Sequence, residues 1–123
     1  MTTRDAERIL IAGSGPVGSA AAYLLARRGI PVTVIEAEEG VQLDYRASTF
    51  HPPTLDLLEG TGITEALVEQ GLKCPTWQFR DRQQGRIAEF DLSVLEKDTN
   101  YPYRLQCEQF KLVDYLYGRL DEI

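Results

Sequence analysis

The sequence predicts an α/β fold organised around a βαβ unit, and three observations carry that prediction. A short, continuously apolar run, Ile9-Leu10-Ile11-Ala12, leads into a glycine-rich turn. The turn opens a stretch rich in alanine and leucine, Ser19 to Arg28, with the composition of a helix. A second apolar run, Val32-Thr33-Val34-Ile35, is dominated by the β-branched residues that suit a strand.

Each element follows from its residues. Four consecutive apolar residues suit a parallel strand buried on both faces, although periodicity alone does not separate such a strand from buried helix. The next six residues decide the matter. Gly13-Ser14-Gly15-Pro16-Val17-Gly18 reads G-x-G-x-x-G. Pro16 fits the first helical turn, where its missing N–H has no intrahelical partner to lose. Gly29 closes the helix, Pro31 opens the next strand, and Glu36 ends it, 18 residues beyond Gly18.

That arrangement is the chemistry of a dinucleotide site. Gly13 permits a tight turn off the strand, and Gly15 lets backbone N–H groups approach a pyrophosphate. Gly18 allows the helix to pack closely on the strand, with Ala22 keeping the same face small. The unpaired N–H groups and the dipole of the helix start stabilise phosphate charge. A carboxylate at Glu36 can accept hydrogen bonds from the adenosine ribose hydroxyls. A bare G-x-G-x-x-G is weak evidence, and the bland alternative is a βαβ unit with a glycine-rich turn and no ligand. Here the motif arrives with both strands, the helix and the terminal acid. The residues alone leave open a tightly held dinucleotide, NAD(H) as substrate of another oxidoreductase, or a noncatalytic nucleotide-binding module. Glu36 disfavours NADP, because it would repel a 2′-phosphate.

Composition narrows the class. With 123 residues the chain is long enough for one compact domain with a modest core. Thirteen Lys plus Arg against nineteen Asp plus Glu give a net charge of −6, which argues against nonspecific nucleic-acid binding. The polar start and the four-residue apolar run behind it provide neither a secretory signal nor the about 20 apolar residues of a membrane helix. A cytoplasmic protein with no membrane partner is therefore expected. Cys74 and Cys107 read as two reduced, partly buried thiols, and His51 is the single histidine, so no metal site is expected.

Further along, Pro53 to Glu59 reads as a short helix followed by Gly60. Thr64 to Gln70 reads as another, capped by Thr64 and closed by Gly71. Trp77 to Arg82, Gln83-Gln84-Gly85 and Arg86 to Phe90 predict a hairpin, with Trp77 and Phe79 alternating on its core face. Phe110, Val113, Leu116, Tyr117 and Leu120 recur at helical spacing and predict a final amphipathic helix from about Glu108 onward.

Gly13 to Glu36 resembles the N-terminal fingerprint of FAD-binding flavoproteins. The segment Arg46-Ala47-Ser48-Thr49-Phe50-His51-Pro52-Pro53-Thr54-Leu55-Asp56-Leu57-Leu58-Glu59 is similar to the Arg-Ala segment and following helix of the p-hydroxybenzoate hydroxylase-like aromatic hydroxylases. Gly62-Ile63 resembles the end of that helix, and Tyr103-Arg104-Leu105-Gln106 the family's later strand with its glutamine. Pro53 departs from the arginine or other polar residue often found there, which leaves the residues near the flavin ring undefined. The resemblance implies a Rossmann-like FAD-binding βαβ domain, truncated, with the start of a substrate-side β-sheet. It divides the chain into an FAD-binding portion over 1–73, a hairpin of the substrate-side sheet over 74–104, and a returning helix over 105–123. Cofactor contacts are implied for Gly13, Ser14, Gly15, Pro16, Val17, Gly18, Glu36 and Ala37. Arg46 is implied beside the diphosphate or ribityl chain, and Gln106 is expected to approach the cofactor from the start of the last helix. Catalytic residues are not assigned. In the intact enzyme the resemblance implies hydroxylation of an aromatic small molecule, with NAD(P)H as transient electron donor and O₂ as oxygen source. No second G-x-G-x-x-G is needed for that donor. Nothing in the chain resembles the family's later Asp-Gly and Gly-Asp segments. The remainder of a longer polypeptide, or a second copy of the chain, is thus the expected protein partner.

Overall fold

The computed structural model describes residues 7–123; the start of the chain, on which the expectation of no leader partly rests, lies outside the described residues. Two compact units emerge, one formed by residues up to Arg46 together with Gln109–Ile123, the other by Ala47–Glu108. No helix among the described residues is long and apolar enough to cross a membrane.

In the first unit, strand β1 (Ile9–Ala12) leads to helix α1 (Pro16–Ala26) and then to strand β2 (Val32–Ile35). The two strands are parallel, in a register that pairs Ile9 with Val32 and Ala12 with Ile35. Pro16 stands in the first turn of α1, as its chemistry requires. Gly29 ends the helix with a φ of +73°. Its N–H bonds to Ala26 O at 2.8 Å while Ile30 N–H reaches back to Leu25 O at 3.1 Å, the paired bonds of a Schellman motif. The last helix (Gln109–Leu120; α4 below) packs against α1. Ala22 and Tyr23 on one side and Leu112, Val113 and Leu116 on the other form this unit's core.

The burial expected for β1 is not found. Leu10 is 65% exposed and Ile35 55% exposed. Both strands of a two-stranded sheet are edges, and α1 is the element packed against them.

The second unit begins with strand β3 (Thr49–Phe50), helix α2 (Pro52–Leu57) and helix α3 (Ile63–Gln70). Strands β4 (Leu72–Cys74), β5 (Thr76–Asp81) and β6 (Gly85–Asp91) follow. A 3-10 turn over Leu92–Leu95 and strand β7 (Arg104–Gln106) complete it. Strands β3 and β4 flank β7 in an antiparallel sheet that the apolar pattern did not signal, because its strands are two or three residues long. Leu55, Ile63, Leu67 and Leu105 are fully buried and form the core. Neither cysteine forms a disulfide among the described residues; Cys107 is buried and Cys74 half-buried.

Three local expectations are corrected. Thr64 does not cap α3. The cap is Gly62, with a φ of +88°. Thr64 sits inside the first turn, fully buried, and its hydroxyl donates to Leu55 O at 2.7 Å. It thereby satisfies a carbonyl near the end of α2 that has no helical N–H to receive. Gly71 closes α3 in extended rather than left-handed geometry. Its value is space, since a Cβ there would meet Leu105 Cδ1 at 2.8 Å. The hairpin forms as expected, with Trp77 stacked on Phe90 at 4.7 Å and tilted against Phe79 at 4.9 Å. Phe79 is nevertheless 55% exposed, because a two-stranded sheet has no second layer of its own to close over that face.

The buried Thr64–Leu55 bond yields a stability prediction. Thr64→Val keeps the shape but leaves the Leu55 carbonyl unpaired, which should cost about 1–3 kcal/mol in a urea titration. An unchanged midpoint would show that the carbonyl finds another donor.

Candidate functional site

The site is built where β1 hands over to α1. Gly13 leaves the strand with a φ of +93°, and its N–H continues the parallel ladder onto Ile35 O at 2.7 Å. That register brings the residue after β2, Glu36, beside the turn. Ser14 N–H donates to Glu36 Oε2 at 2.7 Å, and the Ser14 hydroxyl lies 3.1 Å from the same oxygen. The other oxygen accepts from Ala37 N–H at 2.7 Å and Glu38 N–H at 3.2 Å. Donation by Ser14 N–H, then by Glu38 and Ala37 N–H and by the Ser14 hydroxyl, holds the Glu36 carboxyl down to about 2, against an ordinary value of 4.5. The group is an anion throughout the physiological range.

Helix α1 starts at Pro16 behind Gly15, with no side-chain cap and no acidic residue in its first turn. Its first internal bond is Ser19 N–H to Gly15 O at 2.9 Å. The N–H groups of Val17 and Gly18, ahead of that bond, have no acceptor within the helix. Ser19 is buried and its hydroxyl donates to Ser14 O at 2.6 Å, fixing the turn from below. The two motif glycines differ in kind. A Cβ on Gly18 would come within 1.9 Å of Gly13 O, so helix and turn touch there without room for a side chain. A Cβ on Gly15 would meet nothing within 4 Å. Nothing in the fold needs Gly15 bare; the open space in front of it does.

That space is a cleft of about 150 Å³, lined by Ser14, Gly15, Pro16, Glu36 and Arg46 together with Glu38, Gly40, Gln42, Asp44, Gln109, Phe110, Val113 and Tyr117. Five sequence-predicted residues are thus brought together. Gly13 and Gly18 shape the turn behind them, Val17 is exposed at the helix start, and Ala37 contributes its N–H to Glu36. Arg46 is mostly exposed and pairs with Asp44 through two contacts of 2.8 and 3.1 Å. Gln106 is not at the start of α4 but ends β7 in the second unit. There its amide donates to Ser48 Oγ at 2.7 Å and accepts from Thr49 Oγ1 at 3.2 Å. The strand of which it is the last residue is short, and this displaced the expected helix start.

Sequence reasoning missed the loop residues of the cleft and the α4 wall. The loop carries no periodic signal. For α4 the signal was present: Phe110, Val113 and Tyr117 recur at helical spacing, but an amphipathic stripe does not by itself say that it also faces a cleft.

The second unit holds a larger hollow of about 710 Å³, whose wall includes Pro52, Pro53, Trp77, Leu92, Leu95 and Arg104. The Arg104 guanidinium lies 5.6 Å over the Trp77 ring. This hollow has no glycine turn, and the helix start on its wall, that of α2 behind His51, carries two prolines and so presents few N–H donors; size alone does not make it the dinucleotide site.

A helix start open to an anion, an ionised carboxylate at the neighbouring strand end and an open approach at Gly15 are the donor and acceptor set that an adenosine diphosphate moiety requires. The comparisons with known proteins agree. A family model described as "FAD binding domain" matches residues 7–122, and the chain belongs to that family of FAD-binding domains. It is 36% identical over 115 residues to para-nitrophenol 4-monooxygenase of Pseudomonas sp. (strain WBC-3), covering 94% of this chain and 28% of the relative. It is also 36% identical over 117 residues to 6-methylpretetramide 4-monooxygenase of Streptomyces rimosus, covering 94% of this chain and 21% of that protein. Among solved structures, p-nitrophenol 4-monooxygenase PnpA of Pseudomonas putida DLL-E4 superposes with a TM-score of 0.87 at 33% identity. That match covers 94% of this chain and 30% of that one. The chain therefore spans less than a third of the length of each of these relatives.

The Glu36 network predicts a pH response. A carboxyl whose value in the folded chain lies below its unfolded value stabilises fully above the unfolded value. That contribution fades as pH falls from about 4.5 towards about 2. The ¹³C resonance of the Glu36 carboxyl should accordingly titrate with a midpoint near 2. A midpoint near 4.5 would show that the amides do not hold it.

Proposed function

We propose that this chain is the FAD-binding portion of a flavin-dependent monooxygenase that hydroxylates an aromatic small molecule. The observation that carries the reading is the uncapped start of α1 set beside the ionised Glu36, within a chain whose family is defined by FAD binding. In this reading the unit is Rossmann-like. The N–H groups of Gly15, Val17 and Gly18 receive the pyrophosphate, while Gly13 and Ser14 set the turn and Pro16 the helix start. The Glu36 carboxylate accepts from the adenosine ribose, and Ala37 N–H holds that carboxylate in place.

Arg46 has the chemistry of a phosphate ligand, since a guanidinium presents a fixed fork of donors to phosphate oxygens. To serve as one it exchanges Asp44 for the diphosphate. Gln106 is proposed as a contact to the same cofactor. When bound, FAD supplies the redox chemistry, taking electrons from NAD(P)H and passing them to O₂. The residues of this chain bind and orient it and need no proton-transfer side chain of their own. Residues 1–73 are assigned to cofactor binding, the 74–104 hairpin to the substrate side, and 105–123 to a helix returning to the cofactor unit. The apolar hollow beside Trp77 is the candidate for contact with the aromatic substrate. A cytoplasmic location fits this chemistry, and the remaining length of the relatives corresponds to the rest of the catalytic apparatus.

The geometry at Gly15 supplies the test. Gly15→Val should abolish FAD binding in a flavin-fluorescence titration while leaving the melting temperature within a few degrees, because a Cβ on this cleft-lining residue meets no protein atom within 4 Å. Glu36→Ala should weaken binding on the order of tenfold through lost ribose hydrogen bonds. Undiminished affinity in Gly15→Val would overturn the placement of the pyrophosphate.

A further inference from the structure

We propose that Tyr117 is a positioning residue for the Glu36 carboxylate, acting through the side chain of Ser14. The inference rests on the cofactor reading above and deepens it by bringing α4 into the site. Its basis is a three-member hydrogen-bond chain within the first unit. The Tyr117 hydroxyl contacts Ser14 Oγ, and Ser14 Oγ lies 3.1 Å from Glu36 Oε2.

The direction of that chain follows from its proton inventory. Glu36, ionised, only accepts, and a serine hydroxyl has one proton to give. The Ser14 proton therefore goes to Glu36 Oε2, and the Tyr117 phenol donates into a lone pair of Ser14 Oγ. Ser14 is buried, with 7% of its surface exposed, so water has little access to replace the phenol. Its main chain is already fixed at both polar groups, by N–H to Glu36 and by the Ser19 hydroxyl on its carbonyl. The hydroxyl rotor is the remaining freedom, and Tyr117 removes it. With the rotor held, Oε2 keeps two donors from Ser14 while Ala37 and Glu38 hold the other oxygen, so the carboxylate is fixed in one orientation at the wall of the cleft where the ribose would lie.

Tyr117 reaches this point because Phe110, Val113 and Tyr117 lie along one stripe of α4 that lines the same cleft as Gly15 and Glu36. The ring supplies wall; the hydroxyl supplies orientation. Tyr117→Phe separates these two roles, since it keeps the first and deletes the second.

The experiment is a double-mutant cycle on the full chain, with FAD as the titrant and the melting temperature of each variant as a check on folding. Tyr117→Phe should weaken FAD binding about three- to tenfold, and Ser14→Ala should weaken it similarly. In the Ser14→Ala background the tyrosine substitution should change affinity by less than about twofold, because its effect passes through the deleted hydroxyl. Equal weakening in both backgrounds would assign Tyr117 a packing role and overturn the proposal, as would no weakening in either. Those outcomes leave the cofactor reading intact, whereas absence of FAD binding in the unsubstituted chain would overturn both.

Discussion

One carboxylate ties the first unit together. Glu36 sits at the end of β2 and accepts from the backbone of the turn after β1 and from the two residues that follow it, so each oxygen has two N–H or O–H neighbours. The parallel register makes this possible: pairing Ala12 with Ile35 delivers the next residue of each strand to the same place. Gly13 turns the chain there in a left-handed conformation, and Gly18 lets the helix start close against it. Without the carboxylate the amide of Ser14 would lose its acceptor at the point where the helix must begin. The interaction that shapes the turn is also the one that presents an anion to the cleft, so structure and ligand chemistry share the same atoms.

The charge balance of the cleft follows from that sharing. The helix start is positive by its unpaired amides, and Glu36 lies to one side of it. Arg46 and Asp44 neutralise each other on the loop, in an exposed pair of the kind that contributes little and exchanges readily. A pyrophosphate is a better partner for the guanidinium than a single exposed carboxylate, because it offers more acceptor oxygens beside a helix dipole of the same sign as the guanidinium. Apolar surface tells a related story. Leu10, Ile35, Phe79 and Phe90 remain substantially exposed on two sheets of only two strands each, in a chain that spans less than a third of its relatives' length.

Much of this was legible in the sequence, and the reason is local. Ile9 to Glu36 encode their geometry in residue types that few other arrangements tolerate: glycines where a side chain collides or φ is positive, a proline where no N–H is needed, and an acid at the end of the register. The hairpin was legible from alternating aromatics and Gly85. What escaped was non-local. Thr49–Phe50 and Leu72–Cys74 are too short to show a period, as is Arg104–Gln106, which only the family resemblance marks as a strand, and their pairing depends on residues 30 or more positions apart. Thr64 was misread because a buried threonine bonding to the preceding helix has the same sequence signature as a cap. The place of Tyr117 at the cleft was not legible, because a stripe on α4 does not reveal which of its residues meets α1 and which meets the cleft.

The central claim is that the turn between β1 and α1, with Glu36, receives the adenosine diphosphate part of FAD. Backbone amide shifts measured while ADP is added to the isotopically labelled chain test it most directly. Saturable shifts are expected at Ser14, Gly15, Val17, Gly18 and the amides of Ala37 and Glu38, with residues 47–108 little changed. Shifts concentrated within 47–108, or none at the turn at saturating ADP, would contradict it.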